Sequence, residues 1–177
     1  MKEQEKRIVL DTSAFIAGLD PLSIQLTQYT VPEVENELVH HSLPWTRFKT
    51  AVDLDKLRII SPEPNCVEMV RVFSKSIGDL LFLSKADKQI LALALEFKNL
   101  GQYPEIITDD YSIQNVANKM GIKFVPLNTF GIRFRFHWKL YCPACYRKYP
   151  ADYTSKQCSI CGTKLKRKPI KKTPLED

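Results

Sequence analysis

The sequence predicts an α/β fold in three layers, α/β/α, with a mainly parallel sheet and a small separate module on its C-terminal side. Three observations point there. Short apolar runs of strand length alternate with longer stretches of helical periodicity. Acidic residues stand directly after two of those runs, and the net charge of +6 is divided unevenly along the 177 residues. Residues 1–132 hold 14 Lys/Arg and 17 Asp/Glu, whereas residues 133–177 hold 12 and 3. A mildly acidic body thus precedes a strongly basic tail, the charge division of a chain that meets a polyanion such as nucleic acid.

Ile8-Val9-Leu10 ends at Asp11, as expected of a central parallel strand. Asp11-Thr12-Ser13 then fits the cap of a short helix stopped at Gly18. The pattern places a second helix over residues 22–29 and another after Thr30-Val31-Pro32, because proline suits a first helical turn. Val34, Leu38 and Val39 line the buried side of that helix and leave Glu37 near its edge. A polar helix over 46–56 leads into a strand over 57–60, broken by Pro62 and Pro64. Val67, Val70 and Phe73 mark a helix ending at Gly78. Ser84 opens the clearest helix, with Ile90, Leu91, Ala94, Leu95 and Phe97 on its apolar side and Gly101 beyond it. A third strand over 105–108 meets Asp109-Asp110; Ile113, Val116, Ala117 and Met120 then recur at helical spacing before Gly121 and a fourth strand over 122–125. Strands alternating with helices in this order give a parallel layered sheet.

No apolar run approaches the roughly 18 residues that span a bilayer. A charged N-terminal stretch leads straight into the first strand, so a cytoplasmic protein without a membrane partner is expected. The expected organisation is a body over residues 1–127, a linker over 128–139, a small module over 140–170 and a flexible tail over 171–177. Within the linker, Arg133 to Trp138 alternates basic and aromatic side chains, which also suits a short strand with one basic face.

Four of the five cysteines form Cys142-x2-Cys145-x12-Cys158-x2-Cys161. Each pair can make a tight turn that presents two thiolates, and four thiolates close a tetrahedral shell around one structural Zn²⁺. A module of about 30 residues has too little apolar core to fold alone, so the metal supplies folding free energy. Disulfides are the bland alternative, disfavoured in a reducing compartment. Gly162 follows the second pair, whereas Tyr146 occupies the equivalent place after the first. Cys66, His40, His41 and His137 suggest no ligand role.

Parallel α/β folds carry functional groups at the carboxyl ends of their strands. Asp11 and Asp109/Asp110 stand there, and Glu37 and Asp87 lie in early turns of helices able to face the same crevice. Gathering these charges is costly unless cations compensate them, and hard oxygen donors suit Mg²⁺ or Mn²⁺. Ions held so can activate water for in-line attack on phosphorus. Capping roles compete with this reading. Asp11 and either Asp109 or Asp110 fit helix caps, Ser84-x-x-Asp87 fits a capping box, and Glu37 fits solvated helix surface.

A family resemblance favours the metal site. Residues 8–15, Ile-Val-Leu-Asp-Thr-Ser-Ala-Phe, resemble the opening of PIN-domain nucleases. Residues 30–38 resemble the second motif, with Glu37 at the acid. Leu83-Ser84-Lys85-Ala86-Asp87 resembles the third, and Ile107-Thr108-Asp109-Asp110-Tyr111 the fourth, whose acid falls on Asp110 or Asp109. With the downstream four-cysteine module and Gly78-Asp79, the chain over about residues 8–168 is similar to the archaeal Nob1-type endoribonucleases. Those are PIN domains fused to a zinc ribbon that mature the 3′ end of small-subunit ribosomal RNA.

The resemblance implies an endoribonuclease in which Asp11, Glu37, Asp87 and Asp110 or Asp109 hold one or two Mn²⁺ or Mg²⁺ ions. Its partners would be precursor small-subunit ribosomal RNA and the small ribosomal subunit precursor. Asp79 is a weaker candidate for a supporting role, and Thr12 or Ser13 for orienting a ligand. In the ribbon, Arg147, Lys148, Lys156, Lys164, Lys166, Arg167 and Lys168 are candidate phosphate contacts. Tyr141, Tyr146, Tyr149 and Tyr153 suit either base stacking or the ribbon's small core. Two alternatives stay open: a PIN ribonuclease acting on transfer or messenger RNA, and a noncatalytic RNA-binding assembly factor.

Overall fold

The first apolar run becomes the middle of the sheet. In the computed structural model, which describes residues 5–175, β1 (Lys6–Leu10) pairs in parallel with strands on both sides. Its last three residues are buried, and the chain turns at Asp11 into α1 (Thr12–Ile16). After a 3₁₀ turn at Pro21–Ser23 come β2 (Gln28–Thr30), α2 (Pro32–Glu37), α3 (Leu43–Asp53) and β3 (Leu57–Ile59). Then follow α4 (Pro64–Ile77), a 3₁₀ turn at Leu80–Phe82, α5 (Lys85–Asn99), β4 (Tyr103–Ile107), α6 (Tyr111–Lys119) and β5 (Lys123–Val125). The five-stranded sheet has the order β3-β2-β1-β4-β5 and is parallel throughout. From β1 the chain first builds toward β3 and later crosses back to β4, so the order reverses between β1 and β4. A crevice opens at such a switch point, outside the carboxyl ends of the two strands.

Helix α5 is the main buried element, with Ile90 through Leu95 almost without exposure. Its start is fixed by a capping box: the Ser84 hydroxyl accepts from the Asp87 amide while the Asp87 carboxylate accepts from the Ser84 amide. Helix α4 ends on Gly78 at φ +79°, where a Cβ would sit 2.6 Å from the Trp138 carbonyl oxygen. Glycine is therefore required twice, for the left-handed backbone and for the close passage of the later chain.

The stretch over residues 22–29 is not the expected helix; it holds the 3₁₀ turn and β2. Gln-Tyr-Thr shows no apolar alternation, and its extended form is set by pairing with β1 and β3. The buried Gln28 side-chain amide nitrogen donates to the Leu26 carbonyl while its Oε1 has no partner, and the Thr30 hydroxyl donates to the Leu10 carbonyl at 2.8 Å. Val34 and Leu38 are buried as expected, whereas Val39 lies past the end of α2 and is 75% exposed.

The larger difference concerns the expected linker and tail. Residues 134–141 form β6 (Phe134–Tyr141), which pairs antiparallel with β7 (Lys148–Tyr149) and with β8 (Lys166–Pro174). The supposed linker thus supplies the central strand of a second sheet, ordered β7-β6-β8, and residues 171–174 of the supposed tail are its edge. Backbone pairing from Phe134↔Pro174 to Tyr141↔Lys166 explains why a segment rich in lysine and proline is extended. Residues 1–4 of the expected body and 176–177 of the expected tail lie outside the described residues. Among the described residues, no helix is long and apolar enough to cross a membrane.

Gly78→Ala is expected to destabilise the protein by about 2 kcal/mol, the left-handed strain of an L-residue plus displacement of the Trp138 carbonyl. Urea unfolding measures it; a midpoint equal to that of the parent would contradict this packing.

Candidate active site

Asp11 directly follows β1 as the N-cap of α1 and is 3% exposed. Its Oδ2 accepts from the Ser13 hydroxyl at 2.6 Å and the Thr108 hydroxyl at 2.8 Å. Both hydroxyls converge on that one oxygen, which fixes the carboxylate and leaves Oδ1 to ligate. Burial raises the Asp11 pKa, and the hydrogen bonds from Ser13 and Thr108 only partly offset it. Thr108, last before the acidic pair, also holds the chain that follows, because its hydroxyl accepts from the Asp110 amide at 3.0 Å.

The two acids of that pair diverge. Asp110 caps α6, its Oδ1 accepting from the amides of Ser112 and Ile113 at 2.5 and 3.3 Å. Asp109 points elsewhere. Its carboxylate accepts from the amides of Leu127, Asn128 and Thr129 and from the Thr129 hydroxyl. Burial works against its ionisation, but those donors prevail and hold the pKa below the usual carboxylate value. Asp109 fastens the loop after β5 and does not join the other acids, contrary to its place among the expected catalytic residues. One residue of backbone decides this, because consecutive side chains leave the strand end in different directions.

Glu37 is exposed at the end of α2 and accepts from the Thr12 hydroxyl at 2.6 Å and the Ser84 hydroxyl at 3.3 Å. Ser84 is also the cap of α5, so the same residue ties Glu37 to Asp87. Asp87 is 9% exposed, and its pKa is pushed up to about 6, first by burial and further by the charges of Asp11 and Asp110. The capping box exists, therefore, and coexists with a place beside the other carboxylates. Asp87 feels the charges of Asp11 and Asp110, with Glu37 tied in through Thr12 and Ser84.

The donor chemistry fits Mg²⁺ or Mn²⁺: hard oxygens, mutual repulsion, and no Lys or Arg ion-paired to these four acids among the described residues. Their spacing is wider than that of the thiols. Among the described residues, the cysteine tetrad is the one group of three or more potential ligands whose atoms all lie within 4.8 Å of each other. A wider oxygen site suits Mg²⁺, which keeps several waters and takes only a few protein carboxylates directly.

The tetrad itself has Cys142 and Cys161 sulfurs 3.4 Å apart and Cys145 and Cys158 sulfurs 3.6 Å apart, with all four thiols free. A tetrahedral Zn²⁺ with bonds of about 2.3 Å would separate its sulfurs by about 3.8 Å, so the fit is close. The two turns match bond for bond. Cys142 N donates to Arg147 O and Tyr146 N to Cys142 O, as Cys158 N does to Thr163 O and Gly162 N to Cys158 O. Tyr146 at φ +58° adopts the left-handed backbone that Gly162 adopts at +70°, so the missing glycine leaves the knuckle unchanged. Tyr149 is buried, its hydroxyl 3.0 Å from Cys158 Sγ, and Tyr153 packs on it at 4.4 Å; these two serve the ribbon core, while Tyr146 is exposed.

Six of the seven basic candidates, Arg147, Lys148, Lys156, Lys164, Lys166 and Lys168, are exposed. Arg167 differs. Its guanidinium is ion-paired with the fully buried Asp79, donates to the Ser112 hydroxyl at 3.3 Å, and lies 4.5 Å from the ring centres of both Phe82 and Trp138. Asp79 also accepts from Asn115, yet burial outweighs both partners and pushes its pKa up to about 6. Arg167 is a seam residue between the modules rather than a free phosphate contact. The supporting roles of Thr108, Ser112 and Asn115 emerge only in the folded chain; their one signal in the sequence is closeness to Asp110.

Fold and site together define a PIN-domain ribonuclease. Residues 8–97 match the family model described as the PIN domain of ribonuclease. The chain is 39% identical to Endoribonuclease Nob1 of Methanocaldococcus jannaschii over 92% of its length and 78% of the relative. It is 35% identical to Endoribonuclease Nob1 of Methanothermobacter thermautotrophicus over 90% of its length and 91% of the relative. Ribonuclease VapC1 of Thermoplasma acidophilum is 36% identical over 68% of this chain and 59% of that protein. The chain belongs to the Nob1 family of endoribonucleases.

Asp87 is expected to make stability depend on pH and, through cation binding, on divalent ions. Its folded pKa of about 6 exceeds the ordinary 3.8, so the folded state is favoured below 3.8 and loses that advantage as pH rises through 6. The full difference is about 2–3 kcal/mol. In divalent-free buffer, Asp87→Asn is expected to raise the melting temperature at pH 7.5 and to leave it nearly unchanged at pH 4. Mn²⁺ should stabilise the parent at pH 7.5 much more than the variant. Equal Mn²⁺ shifts for both would remove Asp87 from the cation site.

Proposed function

We propose that this chain is a cytoplasmic, divalent-cation-dependent endoribonuclease that matures the 3′ end of small-subunit ribosomal RNA within a subunit precursor. Asp11, Glu37, Asp87 and Asp110 would hold Mn²⁺ or Mg²⁺, while Cys142, Cys145, Cys158 and Cys161 would hold one structural Zn²⁺. The main support is the position of Asp11 after β1 and Asp110 after β4, the two strands that flank the sheet's switch point. Glu37 and Asp87 are tied to the same rim through Thr12 and Ser84, with no ion pair to any of the four among the described residues. Divalent cations there would supply Lewis-acid activation of water and neutralise charge at the phosphorus.

The protein's own groups set the geometry. Ser13 and Thr108 fix the Asp11 carboxylate, Thr12 and Ser84 fix Glu37, and the first amides of α6 fix Asp110, so the oxygens are oriented before substrate arrives. RNA would be drawn in by the exposed cations of the ribbon. A further basic cleft of about 360 Å³, lined by Arg71, Lys88 and Lys156, lies between the modules near Asp87. Such contacts position the backbone, and their strength falls with salt. The VapC1 match spans a smaller share of the chain than the Nob1 matches, which favours a ribosomal over a transfer or messenger RNA substrate. Retention of all four acids speaks against a noncatalytic factor.

With Mn²⁺ and a precursor RNA spanning the 3′ boundary, Asp11→Asn is expected to lower single-turnover cleavage at least 10³-fold, on the order of removing a key electrostatic group, with affinity held within a factor of about three. Undiminished cutting by the variant would sink the site. Metal analysis of the purified chain should find about one zinc per molecule, and Cys158→Ser should unfold the ribbon while the PIN domain stays cooperative; a zinc-free, folded ribbon would refute the tetrad.

A further inference from the structure

Three aromatic side chains of β6, Phe134, Phe136 and Trp138, lie on one face of the strand and are half-buried. They are members of neither apolar core, that of the PIN domain or that of the ribbon. With Tyr111, Arg133 and Arg167 they line a cavity of about 300 Å³ at the seam between α6 and β6. We propose that this cavity binds one unpaired nucleobase of the RNA beside the carboxylate cluster. The inference deepens the nuclease reading and rests on it for the identity of the ligand as RNA.

Position is the first support. Tyr111 directly follows Asp110 and is 52% exposed, and Ser112, which Arg167 touches, is capped by Asp110. One wall of the cavity and one of the clustered acids therefore share a helical turn. A nucleotide seated here would neighbour the phosphate presented to the acids.

Rigidity is the second. Asn115 of α6 donates to the Phe136 carbonyl at 2.9 Å and accepts from the Phe136 amide at 2.7 Å, closing a two-bond clamp between helix and strand. The Phe136 and Trp138 rings stack at 5.1 Å with 26° between planes. Arg167 is fixed by Asp79 and Ser112, so the wall needs no rearrangement to receive a flat ligand.

Charge is the third. No carboxylate lines the cavity among the described residues. Arg133 is exposed at its rim, and the Lys172 ammonium lies 5.0 Å from the Phe134 ring centre. Aromatic faces flanked by cations accept a base by stacking and its phosphates by charge, and only an unpaired base can splay out to enter. The site contains residues of both modules, so it exists only while the ribbon is docked.

The test uses the full zinc-loaded chain carrying Asp11→Asn, which binds RNA without consuming it, in Mn²⁺. Single-stranded heptaribonucleotides carry 2-aminopurine at each position in turn. Stacking should quench fluorescence strongly at one position. Tyr111→Ala or Phe134→Ala should abolish that quench and weaken binding about 10-fold, the scale of one lost base–aromatic stack. Tyr111→Phe should restore both, and an RNA abasic at that position should bind parent and alanine variants alike. Uniform fluorescence at every position, or alanine variants that bind like the parent, would overturn the proposal. Position-specific, Tyr111-dependent quenching together with failure of the chain with Asp11 intact to cut RNA would support the base site and overturn the nuclease reading instead.

Discussion

Carboxylates repel, and this protein holds Asp11 and Asp87 under cover at one rim of a parallel sheet, with the charge of Asp110 added beside Asp87. The neighbouring structure is arranged around that repulsion. Hydroxyls from Ser13, Thr108, Thr12 and Ser84 bond one or more oxygens of Asp11 and Glu37 without neutralising them. Helix starts at α5 and α6 offer amides and partial positive charge to Asp87 and Asp110. Hydroxyl and amide donors orient a carboxylate yet leave its charge in place, which is the requirement for attracting a divalent cation. An arginine at the same point would have silenced the cluster.

The arginine is found one layer away. The fully buried Asp79 and the partly exposed Arg167 form a pair across the two modules, with the guanidinium 4.5 Å from the centres of two aromatic rings. Such a pair contributes little net stability, because desolvation offsets attraction, but breaking it leaves a charge stranded. It specifies one docked arrangement of ribbon on PIN domain rather than tightening it. Gly78 permits the Trp138 backbone to pass close behind α4, and Asn115 clamps β6 from the other side.

Much of this was legible in the sequence. Apolar runs and Gly or Pro stops located four of the five body strands and most of the helices, since those signals record burial and backbone strain directly. The tetrad was legible because spacing alone dictates thiolate convergence. β2 was not, because Gln28-Tyr29-Thr30 has no pattern and its conformation is imposed by neighbours far along the chain. Nor was the choice between Asp109 and Asp110, which depends on where the loop at 127–129 offers its amides. Residues 134–139 of β6 and 171–174 of β8 read as linker and tail because those stretches carry no core residues of their own and are extended by pairing with each other.

That mutual dependence has a consequence for synthesis. Domains complete in order as a chain emerges, and the PIN strands are all present by Val125. β6 follows at once, but its long partner begins only at Lys166. Until then an aromatic, half-paired ribbon edge lies open beside a finished acidic pocket, and Arg167 has not yet reached Asp79. Closure of the second sheet therefore has to wait for β8 after the PIN strands have been made, and it delivers the seam and its arginine together.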